Sequence, residues 1–143
     1  MDDIEPLIYN IIHNPENTIT NKHRDIIIHL YNHFQPQIVN KKIVSTKNEF
    51  TSIGWFNIII HMMIFIEKHI DIPGVTRKEI IIETILLIIQ HDFSMHIQDK
   101  VRVQCECRDT ANRIIDLIIF SSHNLNTKNK KKKKKWFNFL GGS

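Results

Sequence analysis

Ile53 to Ile70, IGWFNIIIHMMIFIEKHI, is the stretch that decides the class of this 143-residue chain. Wound as a helix it is apolar nearly all the way round, so it is either the buried centre of a fold or a segment in lipid. A bilayer span needs about 20 predominantly apolar residues. The run Ile53–Ile66 is 14 residues long, includes Asn57 and His61, and is closed by Glu67 and Lys68. A second apolar run, Ile80–Ile89, is shorter and contains Glu83. Runs of this length are core helices, and core helices need amphipathic partners to enclose them.

The rest of the chain supplies such partners. Asp2, Asp3 and Pro6 open a helix in which Ile4, Leu7, Ile8, Ile11 and Ile12 form one stripe, ended by Asn14-Pro15. Thr20 is the expected cap of a second helix over 21–35, with Ile26, Ile27, Leu30, Tyr31 and Phe34 on one face and Pro36 as its stop. Residues 37–46 read as a loop with a short extended piece. Thr46 and Glu49 fit a capping box for a third helix over about 47–70, with Gly54 its weak point. Thr76 and Glu79 fit another, flanked by Val75 and Ile80 at staple positions, for a fourth helix ending near His91. VRVQCECR (101–108) alternates as a strand would, but a lone strand needs a partner, so residues 95–122 are expected to be one or two helices. The expectation is all-α: a compact bundle of about five helices over 1–123 around a buried central helix, the 53–70 segment, with a flexible basic tail over 124–143.

Length and composition agree with one folded domain. Hydrophobic residues at 42% and charged residues at 24% are globular proportions, too apolar for wholesale disorder. Isoleucine, asparagine and lysine are over-represented, as an A/T-rich coding sequence produces. Charge is unevenly placed. All fifteen acidic residues precede Lys128, against twelve Lys and Arg, and the remaining seven positive charges are Lys128 and Lys130–Lys135. The body is therefore mildly acidic and the tail strongly basic. The two cysteines, in QCECR, are too few and too close for a disulfide framework. MDDIEPLIYN lacks the basic region of a secretory signal, and Asp2 stands where N-myristoylation requires glycine.

Few residues suggest chemistry. Asp25, His29 and His33 share one helix face at i, i+4, i+8 and are the weak candidates for metal ligands; no HExxH glutamate accompanies them, and helix periodicity already predicts a solvated polar face there, so no metal is expected. Cys105 and Cys107 diverge by about 200° on a helix and read as free thiols rather than a metal or redox pair. His61 and His91 read as core histidines with hydrogen-bond partners. With four glycines, two of them in the last three residues, a phosphate-cradling loop is excluded. No nucleophile elbow or paired-carboxylate site is present in the pattern, so neither an enzyme nor a cofactor or small-molecule substrate is expected.

The tail is the informative segment. Lys128, Lys130, Lys131, Lys132, Lys133, Lys134 and Lys135 run directly into Trp136, Phe137, Phe139 and Leu140. Polybasic charge beside interfacial aromatics supplies the two signals that stable peripheral membrane binding needs. The same lysines would neutralise phosphates, with Trp136 or Phe137 stacking on bases, in a nucleic-acid binder. A nuclear import signal and an inert solvated tail are the remaining readings. The aromatic residues favour the membrane.

With its KEIIIETILLII helix at 78–89, its IIDLIIFSS helix end at 114–122 and its short basic, hydrophobic tail, the chain resembles a loose group of short Ile/Lys/Asn-rich helical proteins from large nucleocytoplasmic DNA viruses. The likeness covers about residues 55–140. Tails in that group often carry cysteines, and this one has none, which argues against lipid anchoring. The group has no assigned function, so the resemblance implies a viral source, with host cytoplasm or virion as the location, and no mechanism. A viral accessory protein is the resulting expectation, its tail on an anionic membrane or on nucleic acid and its acidic body facing a protein partner.

Overall fold

The computed structural model describes residues 4–40 and 52–128, which form five α-helices, α1 (Glu5–Ile12), α2 (Arg24–Asn40), α3 (Ser52–Ile66), α4 (Gly74–Asp92) and α5 (Ile97–Lys128), with one 3-10 turn, Asn21–His23, before α2. No strand occurs among the described residues, and the helices pack on one another as an all-α bundle. Residues 101–108 are helical despite their alternation, because Val103 and Cys107 bury at i, i+4 while Arg102 and Glu106 stay in solvent. The proposed capping box at Thr46 and Glu49 lies outside the described residues.

The bundle does have one buried central helix, but it is α4 and not the 53–70 segment. Ile80, Ile81, Ile82, Ile85, Leu86, Leu87, Ile88 and Ile89 are all buried, and α4 packs against α1, α2, α3 and α5. In its middle the buried hydroxyl of Thr84 donates to the Ile80 carbonyl at 2.7 Å and so carries no unmet hydrogen bond. The α3 helix is a flank. Trp55, Ile58, Ile59, Met62, Met63 and Ile66 face the core, whereas Phe56, Asn57, His61 and Ile64 are exposed. Asn57 and His61, one turn apart, mark the wet stripe. His61 is thus a surface residue and not the core histidine expected.

Two helix ends also differ from expectation. The α2 helix passes through Pro36 to Asn40. Proline removes one backbone donor, and the full burial of Ile38 against the core offsets that loss. The α3 helix stops at Ile66 rather than near 70, giving way to turns closed by His69 N to the Ile66 carbonyl at 3.0 Å and Ile72 N to the His69 carbonyl at 3.1 Å. Residues 124–128, read as tail, are the last residues of α5.

The start of α4 is held from outside. Pro73, and not Thr76, precedes the first helical residue. Thr76 is buried, its hydroxyl 2.6 Å from that of Thr18, and Glu79 Oε1 accepts the Thr18 backbone N–H at 2.8 Å. The supposed capping box is therefore a junction between the α1–α2 connection and α4. Val75 is exposed while Ile80 is buried, so the staple does not form. Real caps occur upstream. Asn17 Nδ2 donates to the Ile11 carbonyl at 3.1 Å, closing α1, and His23 Nδ1 accepts the Thr20 N–H at 3.0 Å, opening α2.

Candidate interaction surface

The α4 and α5 helices run antiparallel, as a ladder of side-chain contacts shows. Lys100 Nζ donates to the Gln90 carbonyl at 3.0 Å, Arg108 pairs with Glu83 at 3.1 Å, and Lys78 pairs with Asp116 at 2.7 Å. The start of α4 therefore lies beside α5 near Asp116, and α5 continues past it to Lys128. The α3–α4 connection is fixed at the same end by Arg77, whose side chain is fully buried. Its Nε donates to the Ile72 carbonyl at 3.1 Å, its Nη1 to the Glu67 carbonyl at 3.4 Å, and its Nη2 to the His69 carbonyl. Burial pushes its pKa down to about 10, against the raising influence of Asp71 and Glu67, which leaves it charged at neutral pH. One guanidinium thus holds three carbonyls of the segment that follows α3.

This end of the bundle is unusually apolar on its outside. Of nine large hydrophobic residues exposed among the described residues, five belong to it: Ile64 (56%), Ile70 (75%), Val75 (55%), Leu117 (58%) and Phe120 (65%). Single exposed apolar residues are ordinary, and five at one end of a small protein make that end the candidate interaction surface. The solvent face of α5 changes character on the way there. Arg102, Glu106, Asp109, Asn112, Arg113 and Asp116 are polar and outside the core, and the next outward residues are Leu117 and Phe120.

Of the tail residues, Lys128 is the last residue of α5, and Lys130–Lys135, Trp136, Phe137, Phe139 and Leu140 lie outside the described residues. Asp25, His29 and His33 do not converge. Asp25 and His29 border a cavity of about 260 Å³ with Lys22, His23, His69 and Asp71, while His33 is turned to the aromatic rings of Phe34 and Phe65, 4.7 and 5.0 Å between centroids. No group of three or more metal-ligating side chains occurs among the described residues. Cys105 is exposed and Cys107 buried, as a helix spacing of two demands. His91 is half-buried beside Tyr31, whose hydroxyl lies 3.0 Å from its Nδ1 and donates to Asp92 at 2.5 Å. Burial first, then that carboxylate, raises the Tyr31 pKa.

Sequence reasoning missed the apolar end and the Arg77 clamp. Only the exposure of Ile70 could have been suspected, because it sits between charged residues in EKHIDIP. No described helix is long and apolar enough to cross a membrane. No protein-family model, curated protein or solved structure matches the chain.

Proposed function

We propose that this is a non-enzymatic accessory protein of a large DNA virus, acting in the host cytoplasm by peripheral docking on anionic membrane through Lys128, Lys130–Lys135 and the adjoining Trp136, Phe137, Phe139 and Leu140. The observation that carries this reading is the direct junction of seven lysines with an aromatic cluster, starting at the last residue of α5. Each lysine near an anionic surface contributes about 1 kcal/mol, and the aromatic rings favour the headgroup region. The mildly acidic body gains no electrostatic attraction from the same surface, so the part of it away from the tail is left for a protein partner.

Flotation of the full chain with anionic and neutral vesicles, against a chain ending at residue 127, tests the tail. The full chain is expected to float with anionic vesicles only, and the shortened chain to lose most of that binding. Equal flotation of the two would overturn the reading. The same lysines make nucleic acid the rival ligand; tight RNA or DNA binding with a steep salt slope and no flotation would establish it instead.

A further inference from the structure

We propose that the bundle itself enters the membrane interface, by the end that carries Ile64, Ile70, Val75, Leu117 and Phe120. This rests on the reading of the tail as a membrane anchor and adds a second, charge-independent contact to it.

Three observations converge. The five residues come from α3, the α3–α4 connection, α4 and α5, and the Lys78–Asp116 and Arg77 contacts bring those elements to one end of the fold. The chain leaves the described structure from that end: Lys128 follows Phe120 by eight residues, about 12 Å along a helix. Lysines drawn to an anionic bilayer therefore bring this end, and not the opposite one, within reach of the headgroups. The chemistry of the exposed residues selects the ligand. Four of the five are aliphatic: isoleucine, valine and leucine gain by entering the acyl boundary and offer nothing to phosphates or base faces, which call for donors and aromatic rings.

The Ile70 turn also has the stiffness that insertion needs. Its neighbours His69 and Ile72 give their carbonyls to buried Arg77, so the turn is presented in one conformation rather than ordered on contact.

High salt removes the lysine contribution, and the substitutions then separate the bundle from the apolar residues of the tail. Lysine attraction is screened at about 1 M salt, where the Debye length is about 3 Å, whereas apolar insertion is not. The test is vesicle co-sedimentation of the full chain with phosphatidylcholine–phosphatidylserine vesicles, at low salt and at about 1 M. The variants are a Leu117→Ser/Phe120→Ser double substitution and, on a different element, Ile70→Ser. All three positions are exposed, so an unchanged helical circular dichroism spectrum and melting temperature are expected to confirm folding. The wild-type chain should keep a salt-resistant fraction of binding, and the double variant should lower that partition coefficient by roughly tenfold or more. Ile70→Ser should lower it in the same direction. Variants that match wild type at both salt concentrations overturn the insertion and leave the tail reading standing. Wild type that ignores anionic vesicles altogether overturns both. Self-association of wild type without vesicles, lost in the double variant while vesicle binding persists, assigns the face to a second copy and also overturns the inference.

Discussion

Replacing Arg77 by methionine keeps the apolar stem of the side chain and removes the guanidinium, which makes it the sharpest test of how this fold holds its α3–α4 end. The wild-type side chain gives the Ile72 and His69 carbonyls well-placed charged donors, and reaches the Glu67 carbonyl at the long distance of 3.4 Å. Hydrogen bonds to a charged group contribute about 1.5–3 kcal/mol each, so two of them set an upper bound near 6 kcal/mol. Methionine does not have to be stripped of the water that solvates a guanidinium, which returns part of that sum. The net expected loss is about 2–4 kcal/mol, or about 6–12 °C in melting temperature for a chain of this length. Arg77→Lys keeps the charge but not the fork, and is expected to lose about half as much. Urea unfolding followed by circular dichroism measures both. A methionine variant within about 0.5 kcal/mol of wild type would refute the clamp, since it would mean that water serves those carbonyls as well as the guanidinium does.

The thiols provide a second check: burial pushes the Cys107 thiol up to about 12 while Cys105 is exposed, so a thiol reagent at neutral pH should label one cysteine of the native chain promptly and the second only in denaturant. Two prompt equivalents would place α5 in the wrong rotation. Stability should also fall with acid. Burial, then neighbouring Lys22, holds the His23 pKa low despite Asp71; burial, then Lys68, does the same to His69, again despite Asp71, with Arg77 and His29 adding to the lowering. Above the ordinary histidine pKa of about 6.5 both states are neutral and stability is flat; below it the unfolded chain takes up protons that the folded chain resists, so stability falls until pH passes below the folded values. The slope is bounded by about 1.4 kcal/mol per pH unit for each histidine, and a urea midpoint unchanged between about pH 7 and 5 would contradict it.

The sequence was readable where one local rule acted alone. Asn14-Pro15 ends α1, Thr20 opens the approach to α2, and Ile80–Ile89 is buried all round. It misled where two rules competed. Pro36 signals a stop, yet Ile38 finds a place in the core two residues on. Thr76 and Glu79 have capping-box spacing, yet both are taken by Thr18, a residue that no local window contains. The choice of central helix is of the same kind. Both apolar runs are able to fill the middle, and which one does depends on the other helices, with Asn57 and His61 as the polar stripe that sends α3 outward. The rest of the apolar end was illegible for a deeper reason: Ile64, Val75 and Phe120 look like core by composition, and only the assembled fold shows that nothing described covers them.

The enclosure of α4 has a consequence for the chain before it folds. Isoleucine favours extended structure when no partner helices surround it, and IIIETILLII is a run of the type that pairs edge to edge between unfolded molecules. Glu83 interrupts that run in its middle. In the folded protein it is an ordinary partner for Arg108 at the α4–α5 seam, contributing at most modestly. In the unfolded chain it is a charge that must be buried before two such segments can zip together. One carboxylate thus guards the segment at the two stages of its life, by repulsion between copies before folding and by attraction within one copy afterwards.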